Sequence, residues 1–191
     1  MKFIINESGV LEKAEFANEA GVVIPDGVRN ISEGEFCAPI ALKEVIIPDS
    51  VTGVGDSAFA GCDWMVGVKI PDSVEYIGSK AFYDCYSLVH ITMGDSVTSI
   101  GDDAFADCNQ LETVELSKSL TSIGDRAFAW CESLRCITIS SNVANIGESA
   151  FYGCGADLVI RTPAGSYAER YATENNIKIQ IRNGGNQNES F

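Results

Sequence analysis

The feature that most constrains this chain is a 23-residue repeat, clearest in the copy from Ile70 to Thr92. Writing the chain in rows of that length places identical residue types in columns. The phenylalanine column contains Phe36, Phe59, Phe82, Phe105, Phe128 and Phe151. The glycine column contains Gly55, Gly78, Gly101, Gly124 and Gly147. A fixed period of roughly 20 to 50 residues is typical of a solenoid, whose stacked copies close one continuous core.

Each copy begins with a predicted strand. Ile91 and Met93 alternate with His90 and Thr92, which is the pattern of a strand with one buried face. We expect these strands to stack in parallel from copy to copy. Pro71 should end the strand of its own copy, because proline lacks the N–H that a central strand needs.

The second half of each copy is predicted to turn back toward the core. The stretch from Ser79 to Cys85 is long enough for one helical turn or slightly more. Gly78, which precedes it, allows either a positive φ or a tight approach of two backbones. The buried phenylalanine that follows in each copy should contribute about 1.5 to 3 kcal/mol by burial.

The pattern divides the chain into four parts. Residues 1–21 form a predicted capping hairpin, and 22–162 hold six 23-residue copies. The first copy departs from the pattern, with Cys37 out of column and Pro39 in place of the column cysteine. Residues 163–182 are predicted to form a cap of one helix and one strand, with Ser166 and Glu169 as a capping box. The tail, 183–191, is predicted to be disordered.

The composition favours one soluble, acidic domain. The formal net charge of −14 argues against nucleic acid or anionic membranes as partners, since proteins that bind them need a basic patch. No apolar run approaches the roughly 18 residues of a membrane span. The first nine residues, MKFIINESG, do not read as a signal peptide, so the default expectation is the cytoplasm.

The cysteines are predicted to be core residues rather than ligands. Five of the seven lie in one column: Cys62, Cys85, Cys108, Cys131 and Cys154. Because the total is odd and no C-x-x-C or Cys/His pair occurs, we expect small buried apolar groups with free thiols, and neither metal nor cofactor. Disulfides between neighbouring copies are the alternative.

Catalysis is not expected. Acid–base chemistry commonly uses histidine, and the chain has only His90, on the exposed side of a strand. Gly-Asp pairs such as Gly55-Asp56 and Gly101-Asp102 suggest calcium at first sight. One carboxylate per copy is too few, because calcium takes 6 to 8 converging oxygens.

The repeat unit also resembles a known family. Its motif in one copy consists of Ile70, Pro71, Asp72, Ser73, Val74, Ile77, Gly78, Ala81, Phe82, Cys85, Leu88 and Ile91. This motif resembles the BspA-like class of leucine-rich repeats, over about residues 22–162. The resemblance implies an α/β solenoid: a right-handed array with parallel strands on its concave face and short helical or irregular segments on its convex side. It also implies adhesion and host-protein binding at microbial cell surfaces.

The candidate binding surface consists of positions at which one copy differs from its neighbours. Exposed aromatic side chains without a role in the core are enriched at binding hot spots. Four of the nine candidates lie on the predicted strand face, and the other five are aromatic. They are Lys69, His90, Thr92 and Glu115, together with Trp64, Tyr76, Tyr83, Tyr86 and Trp130. The centre is predicted at the three tyrosines, which share one copy.

These observations predict a non-catalytic scaffold that binds an unidentified protein through its strand face and loop aromatics. Two alternatives remain open at this point. One is a structural or self-assembling module without a separate ligand, and the other is a glycan-binding module. We expect a monomer that binds no nucleic acid and does not insert into membranes.

Overall fold

The computed structural model describes residues 2–15, 21–32 and 42–182. These residues form a solenoid of about seven turns built from stacked parallel strands, and the predicted solenoid is confirmed. Phe36, Cys37, Pro39 and the tail from 183 lie outside the described residues. The division of the chain into hairpin, array, cap and tail remains a proposal.

The first two strands are β1 (Lys2–Ile5) and β2 (Val10–Glu15), which pair antiparallel. A longer strand and a two-residue strand then alternate along the chain as far as the last longer strand of the stack. The longer strands are β3 (Gly21–Val23), β5 (Glu44–Ile46), β7 (Gly67–Ile70), β9 (His90–Met93), β11 (Thr113–Glu115), β13 (Cys136–Thr138) and β15 (Val159–Thr162). The shorter ones are β4 (Asn30–Ile31), β6 (Gly53–Val54), β8 (Tyr76–Ile77), β10 (Ser99–Ile100), β12 (Ser122–Ile123) and β14 (Asn145–Ile146).

The longer strands form what we call the main sheet. They pair in parallel with a shift of one copy, so that His90 lies beside Gly67 and Thr113 beside His90. The hydrogen-bonded order runs from β3 to β11, and a second group joins β13, β15 and the final strand, β16 (Lys178–Ile181). β7 ends at Ile70, directly before Pro71, as the missing N–H of proline requires.

The two-residue strands form a second parallel sheet, which the sequence analysis did not predict. It joins β2 to β14 and also includes β1. In each pair a buried isoleucine or valine lies beside its counterpart, for example Ile77 beside Ile100. Two residues per copy are too short a segment for alternation of apolar and polar residues to reveal a strand.

The segment predicted as a possible helical turn is not helical. Residues in the left-handed region recur four positions apart, such as Lys80 (φ 57°) and Asp84 (φ 58°). N–H groups of this segment donate to carbonyl oxygens of the following copy: Lys80 to Asp102 at 2.8 Å and Phe82 to Ala104 at 2.7 Å. We call this system of bonds the turn ladder. It explains why a helix does not form, since these N–H groups donate to carbonyl oxygens of the next copy and not to carbonyl oxygens within their own segment.

The glycine column permits a tight approach rather than a positive φ. A Cβ added to Gly101 would lie 2.5 Å from the backbone nitrogen of Ser79 and 2.7 Å from the carbonyl carbon of Gly78. Only a residue without a side chain fits between two backbones at that distance. The column therefore sets how closely consecutive copies stack.

The phenylalanine column forms the centre of the core. The rings of Phe59, Phe82, Phe105, Phe128 and Phe151 stack with centroids 5.1 to 5.4 Å apart and nearly parallel planes. The first four are fully buried. Stacked aromatic pairs contribute about 0.5 to 1.5 kcal/mol beyond the area that they bury.

A short helix, α1 (Tyr167–Glu174), closes the end of the stack. Its N-cap is Ser166, whose hydroxyl accepts the Glu169 N–H at 3.1 Å, while the Glu169 carboxylate accepts the Gly165 N–H at 2.5 Å. Tyr171 turns inward and meets the last ring of the stack, Phe151, edge-on at 6.1 Å. Within the described residues, no helix is long and apolar enough to cross a membrane.

Candidate functional site

The outward side of the main sheet, which we call the strand face, is formed by two columns of side chains. The first column contains Glu44, Gly67, His90, Thr113, Cys136 and Val159. The second contains Ile46, Lys69, Thr92, Glu115, Thr138 and Arg161. Lys69, His90 and Glu115 are exposed and Thr92 is half-buried, so all four predicted strand-face candidates reach this surface.

A shallow depression of about 420 Å³ lies on this face. It forms around Gly67, which leaves the first column without a side chain between Glu44 and His90. The His90 ring occupies that space. A Cβ added to Gly67 would lie only 2.2 Å from the Nε2 atom of His90. The depression brings Lys69, His90 and Thr92 together, whereas Glu115 does not line it.

An exposed isoleucine contributes to the same depression and was not among the predicted site residues. Ile46 is 52% exposed and lies directly beside Lys69 in the second column. The signal was present in the sequence, since Ile46 occupies an outward position of the strand, where the copies from β7 onward carry lysine, threonine, glutamate or arginine, and where the preceding strand carries the exposed Val23. Asp49 and Glu44 place acidic groups at the edge of the same area.

The predicted aromatic candidates lie elsewhere and do not form one patch with the strand face. Tyr76 belongs to β8 in the second sheet. Its ring lies over Gly53, where an added Cβ would be 2.3 Å from Cζ, and its hydroxyl bonds to Asn30 Oδ1 at 3.2 Å. Tyr76 remains 41% exposed despite these contacts.

Tyr83 and Tyr86 lie on the turn segment of the same copy and are exposed. The Tyr83 side chain lies near the carboxylate of Asp107 in the following copy. The negative charge of Asp107 and partial burial raise the pKa of Tyr83. At neutral pH Tyr83 is therefore uncharged beside that carboxylate.

The two tryptophans lie on the turn side of the solenoid, in different copies. Trp64 is 57% exposed. Trp130 packs its ring against Gly153 and contacts Tyr152 edge-on, with centroids 5.2 Å apart. Tyr152, which is 61% exposed, therefore forms an exposed aromatic pair with the predicted candidate Trp130.

The carboxylates of the Gly-Asp pairs are engaged by backbone. The Oδ1 of Asp56 accepts the Ser79 N–H at 2.7 Å, and that of Asp125 accepts the Glu148 N–H at 2.7 Å. Each carboxylate thus fastens its copy to the next one. Across the part of the chain that the structure describes, no group of three or more His, Cys, Asp or Glu residues is arranged to hold a metal ion.

The cysteine column lies in the core, as predicted from its register. The Sγ atoms of Cys85, Cys108 and Cys131 donate to phenylalanine carbonyl oxygens of the preceding copy at 3.1 to 3.2 Å. Burial raises the pKa of the Cys131 thiol, and it raises that of Cys154 to about 12. Such thiols are poor nucleophiles, because the reactive thiolate is suppressed.

Several solved bacterial structures share this fold. One is a leucine rich cell surface protein from Faecalibacterium prausnitzii A2-165, with 30% identity and a TM-score of 0.64, covering 84% of this chain and 52% of that one. Another is the T. pallidum leucine rich repeat protein, with 27% identity and a TM-score of 0.60, covering 84% and 67%. A third, from Bacteroides ovatus ATCC 8483, has 29% identity and a TM-score of 0.59, covering 84% and 45%.

The chain thus spans about half the length of the first of these structures. No protein with a curated description matches it. The model of the BspA type leucine rich repeat region matches residues 29–157 in six copies, and the matched residues include the stacked phenylalanines, the glycine column and the buried cysteines. The chain belongs to the BspA-type leucine-rich repeat family.

Proposed function

We propose that this chain is a non-catalytic scaffold that binds a protein partner through the strand face, at the depression around Gly67. The observation that carries this proposal is the exposed Ile46 beside Lys69, His90 and Thr92 in a single depression. An apolar centre with polar groups around it is the usual composition of a protein-binding surface. Backbone pairing within the main sheet holds these side chains in a fixed arrangement.

The comparisons support a repeat scaffold in general terms. The relatives are leucine-rich repeat proteins, and one of them is described as a cell surface protein. We propose by analogy that this chain contributes to adhesion, as the resemblance of its repeat unit implies. The exposed tyrosines and tryptophans, which lie away from the depression, form a second candidate surface.

The strand-face proposal can be tested by affinity capture from native lysate and from culture medium. The immobilised wild-type chain is compared with a variant that combines Ile46→Ser and Lys69→Gln. We expect the variant to lose the specifically captured protein, because it removes the apolar centre and its neighbouring charge. Lys118→Gln is the matched control: it removes the same charge at a site where the lysine side chain is 84% exposed.

The aromatic surface has a separate test. Changing Tyr83 and Tyr86 to alanine should leave thermal unfolding nearly unchanged, because both side chains are exposed. If these residues bind the partner, the same variant captures less of it. Capture at the wild-type level by this variant, together with loss in the Ile46 and Lys69 variant, would assign binding to the strand face alone.

Light scattering tests the alternative of self-assembly. A monomeric mass across a range of concentrations would argue against a module that stacks end to end. A mass that grows with concentration would favour that alternative over a separate partner.

A further inference from the structure

The turn ladder has a direction, and it leaves one end of the stack with unused donors. In each of the four gaps between described copies, three N–H groups donate to carbonyl oxygens of the next copy at 2.7 to 3.0 Å. In the last gap the donors are Arg126, Phe128 and Trp130. The copy that contains Phe151 is followed by the cap and not by another copy, so no carbonyl oxygens of a next copy accept hydrogen bonds from its N–H groups.

In that copy the three corresponding N–H groups belong to Ser149, Phe151 and Gly153. The ring of Tyr171, from α1, packs edge-on against Phe151; burial raises the pKa of Tyr171, and the nearby backbone of Phe151 and Ala150 opposes that rise. Among the residues that the structure describes, no acceptor pairs with the N–H of Ser149 or of Gly153. Ser149 (φ 56°) and Gly153 (φ 73°) are left-handed like their counterparts, so both retain the conformation that directs these N–H groups outward.

A half-open cavity of about 250 Å³ is lined by these residues and by the cap. Leu158 and the rings of Phe151 and Tyr171 form apolar walls. Lys178, at the start of β16, also lines the cavity and supplies a cation. Its Nζ atom contacts Asp157 Oδ1 at 2.6 Å, and its side chain is 58% exposed, so the ammonium group retains further N–H donors.

We propose that this cavity binds a carboxylate, which accepts hydrogen bonds from the backbone N–H groups of Ser149 or Gly153 and from the Lys178 ammonium group. Backbone N–H groups that line a concave site without an acceptor are available to donate to an anion. A carboxylate is the better match than a phosphate, because few donors face the cavity and Leu158, Phe151 and Tyr171 give it apolar walls. The site lies at the end of the stack and does not depend on the strand-face proposal.

The test is a titration of the full chain, labelled with ¹⁵N, with sodium acetate and sodium propionate. We expect saturable shifts of the Ser149 and Gly153 amide signals, with tighter binding of propionate because its extra carbon contacts the apolar wall. The amides of Asp103 and Asp107, whose N–H groups are bonded in the ladder, should not move. Sodium chloride at matched ionic strength provides the baseline.

Two variants separate the parts of the site. Lys178→Gln should weaken acetate binding roughly threefold, since an exposed ion pair contributes a fraction of a kcal/mol. Lys118→Gln, at an exposed pair with Asp95, should have no effect.

The proposal is wrong if acetate and propionate move the Ser149 and Gly153 signals no more than chloride does. It is also wrong if Lys178→Gln and Lys118→Gln weaken binding equally, because the effect would then reflect net charge alone. Saturable binding of inorganic phosphate without binding of acetate would overturn the assignment to a carboxylate.

Discussion

At the scale of single residues, the glycine column shows how a position without a side chain controls the contact between two copies. The sequence identified the column and offered two explanations, a positive φ or a close approach. The structure selects the close approach, because backbone atoms of the preceding copy occupy the place of a Cβ. The choice depends on the distance between copies, which one sequence does not contain.

Gly101→Ala should therefore destabilise the fold by about 3 kcal/mol, at the upper end of the cost of overpacking, since rigid backbone atoms face the new Cβ. The measurement is the free energy of unfolding in urea. Gly21→Ala is the control, because a Cβ there meets no atom within 4 Å. Equal stability of the two variants would show that the copies separate at little cost.

Tyr83 provides a prediction about pH. Its pKa is raised in the folded chain, mainly by Asp107, above the value of 10.0 in the unfolded chain. The stability that this shift contributes is present below pH 10 and is lost as the pH rises through the folded pKa. Ultraviolet titration of tyrosinate should show a lower pKa for Tyr83 in Asp107→Asn, and an unchanged titration curve would contradict the contact.

At the scale of elements, the longer strands and their register could be predicted, whereas the second sheet and the turn ladder could not. Ile91 and Met93 alternate with polar residues, so the strand and its buried face follow from the sequence. A two-residue strand such as β8 shows no such alternation. The turn ladder depends on bonds between copies, and local propensity carries no information about them.

The phenylalanine stack is the element that should respond most strongly to mutation. Phe105 lies between two rings, each with its centroid 5.2 Å away, and is fully buried. Phe105→Ala should cost about 3 to 5 kcal/mol, because it leaves a cavity between rings that are held in place by the ladder. Chemical denaturation measures this cost, with the exposed Tyr86→Ala as a control expected to change stability by less than about 0.5 kcal/mol.

At the scale of the whole molecule, the core could be predicted more completely than the candidate site. The copies after the first repeat nearly the same buried residue types, so each column is supported by several observations within one sequence. The strand face has no such redundancy, since each position differs from copy to copy. Its depression arises from one glycine, Gly67, and one overhanging ring, His90, a combination that becomes visible only in three dimensions.

The cysteines give a prediction about the whole chain. Thiol titration after denaturation should find all seven cysteines reduced. In the native protein the core thiols, such as Cys108 and Cys131, should react only as the solenoid unfolds, because they are buried and their pKa values are raised. Recovery of only one or three thiols after denaturation would mean that disulfides join neighbouring copies.

The turn ladder has a consequence for how such a chain can change in length. Each copy offers the same donors to the copy after it, so deletion of residues 94–116 would join two copies that already fit each other. The core would be shortened without being redesigned. On the strand face, however, Thr92 would become the neighbour of Thr138 and Glu115 would be lost. Duplication or loss of a whole copy would thus change the side chains of the strand face and leave the residue pattern of the core unchanged.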